Sequence, residues 1–164
     1  MLLNCTDCER EISKWARACP HCGKPQYRGF EWRSEAEVLG IPLIHITSGR
    51  DSITGRIKVS KGIIAIGQFG IGLFTVAQVG IGFFFGLGQV MFGLITIAQL
   101  SIALYFGIGQ FATGMIAIGQ LALGYYVLGQ IGFGAHVLSA EMKDPAAIEY
   151  FTNIWNNIKS FLPF

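Results

Sequence analysis

From Val59 to Ala140 the chain repeats every five residues, through sixteen units interrupted only by single insertions at Phe84 and Tyr105. The fourth place of each unit is small, as in Gly62, Gly67, Gly72 and Ala77, and the first is large and apolar until the last unit, which has His136. The fifth place alternates: Gln68, Gln78, Gln89, Gln99, Gln110, Gln120 and Gln130 interleave with Leu73, Phe83, Leu94, Leu104, Met115 and Tyr125. A helix cannot use such a period, because the small places would rotate by about 140° per unit and form no face. A short strand followed by a corner can, since alternate side chains point in and out and the corner resets the alternation. Units of that kind bury a core by stacking coil on coil.

The two insertions lie 21 residues apart, as an extra residue at one corner of two successive coils would place them. The expected fold is therefore mainly β, a four-sided β-solenoid of about four coils with strands about 4.8 Å apart. Read as small, Gln or Leu, large apolar, small, aliphatic, as in Gly67-Gln68-Phe69-Gly70-Ile71, the unit resembles the pentapeptide-repeat β-solenoids. That resemblance implies that the small and the central large residues point inward, with Phe69, Phe74 and Val79 in the core. It concerns geometry and transfers no activity. Soluble members are polar at the remaining places, where this chain has Ile66, Ile71, Val76, Ile81, Leu87, Phe92, Ile97 and Ile102.

Charge divides the molecule sharply. The net charge is only +2, yet the 74 residues from Gly62 to Ala135 contain no Asp, Glu, Lys or Arg. A solenoid with large aliphatics both inside and outside exposes more apolar surface than a soluble monomer carries, so its exterior must meet lipid or protein. Stacked coils pair their own backbone groups, as a bilayer interior requires, which makes the expected surroundings a membrane. A soluble oligomer or fibre that buries the same faces is the alternative. Three membrane helices would also fit the length at about 20 residues each, but this stretch holds 17 Gly and no loop-like cluster of charged or Pro residues.

Cys5-Thr6-Asp7-Cys8 and Cys19-Pro20-His21-Cys22 are two C-x-x-C knuckles. Each can give two thiolates to one ion, and Cys5, Cys8, Cys19 and Cys22 together complete the closed tetrahedral shell of structural Zn²⁺. The segment resembles the short zinc ribbons, whose second knuckle is commonly Cys-Pro-x-Cys-Gly, here Cys19 to Gly23. Disulfides are not expected where the chain passes straight into the cysteine cluster without a secretion signal. Rubredoxin-like iron is the competing metal. Basic Arg10, Lys14, Arg17, Lys24 and Arg28, with Trp15, Tyr27 and Trp32, are nearly balanced by Asp7, Glu9, Glu11, Glu31, Glu35 and Glu37, so nucleic acid is not an expected partner.

Four segments follow: a zinc ribbon at 1–26, a linker and β-hairpin cap at 27–58, the repeat at 59–140, and a C-terminal amphipathic helix at 141–164. The hairpin is expected from Ile41–Thr47 and Gly55–Val59 around a turn-rich stretch, and it would cover the open edge of the first coil. Asp144-Pro145 reads as a helix start, with Ile148, Phe151, Trp155, Ile158 and Leu162 on one stripe. That helix would cover the last coil or lie in the membrane interface. The order of zinc ribbon, Gly40 to Ile46 and Ile64-Ala65-Ile66-Gly67 resembles a group of bacterial zinc-ribbon, Gly-rich repeat membrane proteins, which implies architecture and no activity. The inner membrane, with the ribbon in the cytoplasm, is the expected location.

With four sides per coil the glutamines would form two opposite stripes: Gln68, Gln89, Gln110 and Gln130 on one, Gln78, Gln99 and Gln120 on the other. Each stripe could be an amide ladder or a contact between subunits. No nucleophile, base and orienting group assemble from the three His and the acids outside the repeat, so an enzyme is not expected. The expected function is a membrane-embedded structural or assembly scaffold, a homo-oligomer whose cytosolic ribbon binds a protein partner. The alternative is an oligomeric transport or permeation element with a glutamine-lined path.

Overall fold

The computed structural model describes residues 2–26, 28–51 and 54–161. It is mainly β with one C-terminal helix, and no closed barrel forms among the described residues. Among the described residues no helix is long and apolar enough to cross a membrane.

Strands β1 (Leu2–Asn4) and β2 (Glu11–Ser13) pair antiparallel, with Leu3 opposite Ile12. Next comes β3 (Gly29–Arg33), and then a tight hairpin of β4 (Glu37–Val38) and β5 (Ile41–Pro42). Its tip, Leu39-Gly40, has φ of 54° and 76°. The φ of Gly40 suits glycine, whereas Leu39 holds a left-handed conformation with its side chain 97% exposed.

The segment expected to form a hairpin cap carries a further pairing. Strand β6 (Ile44–Gly49) runs parallel to the long segment β7 (Val59–Leu138), with Ile44 opposite Ile64 and Thr47 opposite Gly67. The second expected arm pairs antiparallel with residues just beyond the first: Arg50 bridges Ile57, Asp51 N–H donates to Arg56 O at 2.8 Å and Lys58 N–H to Gly49 O at 3.1 Å. The outer edge of β6 is instead covered by β3, antiparallel from Gly29–Gly49 to Arg33–His45. The stretch expected to be a linker thus supplies the strand that covers the edge, relieving the unpaired-edge problem that motivated the hairpin.

Within β7, backbone lies on backbone from ten or eleven residues earlier. A Cβ built on Gly80 would sit 2.6 Å from the carbonyl oxygen of Gly70, and one on Gly119 or Gly129 would strike Gly109 or Gly119. Across the insertions the offset becomes eleven, Gly88 on Ala77 and Gly109 on Ala98. The fourth place is small because a larger side chain there would occupy the backbone of the neighbouring pass. This spacing corrects the four-sided expectation: contact recurs after two units, not four.

The side chains that point inward are corrected too. Ala65, Met91, Ala112, Ala117, Ala122 and Val127, all in the second place, are fully buried with Ser60, Thr75, Thr96 and Ser101. Phe74, expected inside, is 47% exposed, while Phe69 and Val79 are half-buried beside Ile71, Ile81 and Phe92 in a surface groove. Two five-residue walls facing each other leave room mostly for short side chains, so the large ones turn outward. Buried hydroxyls bond to carbonyl oxygens, Thr75 to Ile81 at 2.8 Å, Ser60 to Phe69 at 3.1 Å and Ser101 to Thr96 at 3.1 Å. No buried side-chain polar atom lacks a partner among the described residues, which keeps the narrow core inexpensive to bury.

Helix α1 (Pro145–Phe161) starts where the sequence places it: Asp144 Oδ1 accepts hydrogen bonds from the amides of Ala146 at 2.7 Å and Ala147 at 3.4 Å. Ala147 and Phe151 bury against Ile116, while Tyr150 and Ile154 join a cluster containing Phe106, Tyr126, Ile118, Leu128 and Leu138. Those contacts form files ten residues apart, so the helix lies across the flank of the last passes of β7 instead of covering its end. Of the expected stripe, Phe151 is buried, Ile148, Trp155 and Ile158 are exposed, and Leu162 lies outside the described residues.

Candidate metal centre

The four cysteines arrive from two local structures built alike. In the first knuckle Cys5 N–H donates to Arg10 O at 2.9 Å and Glu9 N–H to Cys5 O at 3.0 Å. In the second, Cys19 N–H donates to Lys24 O at 2.8 Å and Gly23 N–H to Cys19 O at 2.8 Å. Each turn closes with a left-handed residue four places after its first cysteine, Glu9 at φ 56° and Gly23 at φ 74°. Equal spacing in the sequence therefore becomes equal backbone geometry, and the two turns present their sulfurs to one point.

All four Sγ atoms lie within 4.8 Å of one another. The Cys5–Cys22 and Cys8–Cys19 pairs are each 3.6 Å apart, much longer than the about 2.05 Å of a disulfide. A tetrahedron with metal–sulfur bonds of about 2.3 Å has edges of about 3.8 Å, so the donor set fits a closed four-sulfur site. Cys5 and Cys19 are buried with Ile12, and Cys8 packs on them. That cluster is too small to hold a folded unit unaided, and a bound ion would supply the missing cross-link.

The electrostatics agree with the geometry. Amides of Cys8 and Asp7 bring the Cys5 thiol down to about 6. At Cys22 the Lys24 amide pulls down, but burial and the sulfurs of Cys19, Cys5 and Cys8 prevail and push the thiol up to about 12. Four crowded sulfurs cannot all ionise without a cation among them. Lys24, paired with Asp7 at 2.9 Å, brings a positive charge to the rim. His21 takes no part: it is exposed and faces Arg10 at 3.4 Å.

The glutamines are arranged differently from expectation. Gln78 and Gln89 line one groove, and Gln110, Gln120 and Gln130 line another with Ile108, Ile118 and Leu128. Residues assigned to opposite stripes are thus neighbours, because the contact period is ten or eleven and not 21. Gln68 and Gln99 fall into the same file by spacing. Among the described residues no glutamine of this file hydrogen-bonds another.

Two polar constellations escaped the sequence reading. Glu31 accepts from Lys58 at 2.9 Å and from Arg33 at 2.6 Å, and lies 3.4 Å from the buried His45, joining β3, β6 and the start of β7. Lys58 foremost, then Arg33, lowers its carboxyl to about 2. At the other end Asp144 Oδ2 meets His136 Nδ1 at 3.2 Å, and His136 stacks on Tyr126, which stacks on Tyr150. The clue to each was a charge beside the repeat, visible in sequence but meaningless until the pairing was known. Both constellations join neighbouring elements. Comparison with protein-family models, curated proteins and solved structures finds no match.

Proposed function

We propose that the chain is a membrane-embedded structural or assembly scaffold, with a cytoplasmic zinc ribbon that binds a protein partner and a repeat coiled as a flattened, two-sided β-solenoid. The observation that carries this reading is the uncharged stretch from Gly62 to Ala135, whose outward side chains include Phe83 at 59% exposure, Leu104 at 77% and Phe133 at 60%. Such a surface is costly in water and ordinary in lipid. Zinc would be held by Cys5, Cys8, Cys19 and Cys22, where four thiolates leave no open position for a substrate, so its contribution is to folding. Subunits would associate within the membrane, leaving the charged ribbon outside it.

Native mass spectrometry from detergent tests this reading through subunit number, retained lipid and bound metal. One zinc per chain with retained lipid supports it; a metal-free, lipid-free monomer that stays soluble without detergent contradicts it. A permeation element is favoured by one observation, the file of glutamines without protein partners, and liposome flux distinguishes it from a scaffold.

A further inference from the structure

The repeat has two unlike edges. Along one run the glutamines; Gln78, Gln89, Gln99, Gln110, Gln120 and Gln130 are exposed. Along the other, half a turn away, run Leu73, Phe83, Leu94, Leu104, Met115 and Tyr125. Helix α1 lies on the wall that ends in glutamine, covering Phe106, Ile116 and Tyr126, and its exposed face mixes Glu149, Asn153, Asn156 and Lys159 with Ile148, Trp155 and Ile158. The other wall, from Phe69 to Phe133, contributes no residue to the cluster that packs on α1 among the described residues. At its start the exposed Leu39 tip joins Ile71, Leu73 and Phe83 around a cleft of about 690 Å³.

Resting on the membrane reading above, we infer that the chain enters one leaflet only, with the Leu73–Tyr125 edge and the uncovered wall in the acyl chains and the glutamine edge toward water. A five-residue wall at about 3.3 Å per residue is roughly 16 Å across, about half of a 30 Å hydrocarbon layer. The opposite arrangement, with the coil axis along the membrane normal, would carry the whole glutamine file through the hydrocarbon. None of those amides has a protein partner among the described residues, and each would then lose the hydrogen bonds that water supplies. The Leu39 tip, apolar and beside the leucine edge, extends the inserted surface at the end nearer the ribbon.

Flotation of the full zinc-loaded chain with phosphatidylcholine–phosphatidylglycerol vesicles tests this sidedness. Wild type should float, Leu104→Asp and Leu94→Asp should lower the bound fraction by about tenfold or more, and Gln99→Asp and Gln89→Asp should bind as wild type. Circular dichroism of each variant checks folding, and Leu104→Gln replaces any aspartate variant that fails it. Equal losses on both edges would overturn the one-leaflet arrangement while leaving the membrane reading standing. Unchanged binding of the leucine-edge variants would also overturn it. A wild type that stays off vesicles, and forms an oligomer that Leu104→Asp dissociates, would assign the surface to a second copy and overturn both.

Discussion

The ribbon and the repeat solve the same problem by opposite means. The ribbon is rich in charge, and its core is little more than Ile12 and the cysteines, so its fold depends on four sulfurs converging. The repeat carries no charge across 74 residues and is held by backbone laid on backbone around short side chains. A small unit lacking apolar area needs a cross-link, whereas a periodic one gains stability from each added pass. The two regions should therefore respond to different insults.

The largest separation is expected from the metal. Apparent zinc-binding energies of about 10–16 kcal/mol in small zinc domains are folding energies. Chelation or Cys19→Ser should release one ion and unfold the ribbon while the β signal of the repeat persists, as read by native mass and circular dichroism. Joint collapse of both regions would break the comparison. Within the repeat, Ala117→Leu places a large side chain in the filled second place and should cost about 1–3 kcal/mol in denaturant unfolding. Leu104→Ala, on the exposed edge, should change stability by less than about 0.5 kcal/mol.

The difference between those two positions also marks where the sequence stopped being informative. The β character of the repeat, the glycine column, the Asp144 cap and the convergence of the four cysteines were all legible, because each depends on local spacing. The number of units per turn was not. Phe84 and Tyr105 suggested a 21-residue coil, but an inserted residue shifts the offset of its own pass from ten to eleven and gives no sign of how many passes separate two insertions. With the period doubled, the glutamines were split into two stripes, while Phe74 was placed inward by the resemblance to the pentapeptide repeats, whose central residue fills a wider coil than these facing walls leave. The strand covering β6 was hidden for a different reason: β3 alternates polar and aromatic residues and resembles a linker until its partner is known.

Smaller effects sharpen the picture at the ends of the repeat. Asp144→Ala removes the cap of α1 and the partner of His136, and should cost about 1 kcal/mol, seen as earlier loss of helical signal on heating. Glu31 gives an acid-dependent contribution. Its carboxyl is held at about 2, below the ordinary 4.5, so the stability it adds is present above pH 4.5 and is lost as pH falls toward 2. Acid titration of wild type beside Glu31→Gln should show this loss only in wild type, confined to the pairing of β3, β6 and the start of β7.

The ten-residue period can be measured directly with pairs of nitroxide labels on cysteines introduced at exposed glutamines, with zinc added before labelling to protect Cys5, Cys8, Cys19 and Cys22. Labels at Gln89 and Gln99 should sit on adjacent passes about 4.8 Å apart and show strong spin–spin broadening, with labels at Gln89 and Gln110 about twice as far apart and more weakly coupled. The reverse, strong coupling for Gln89 with Gln110 and none for Gln89 with Gln99, would restore a four-sided coil and contradict the two-sided one.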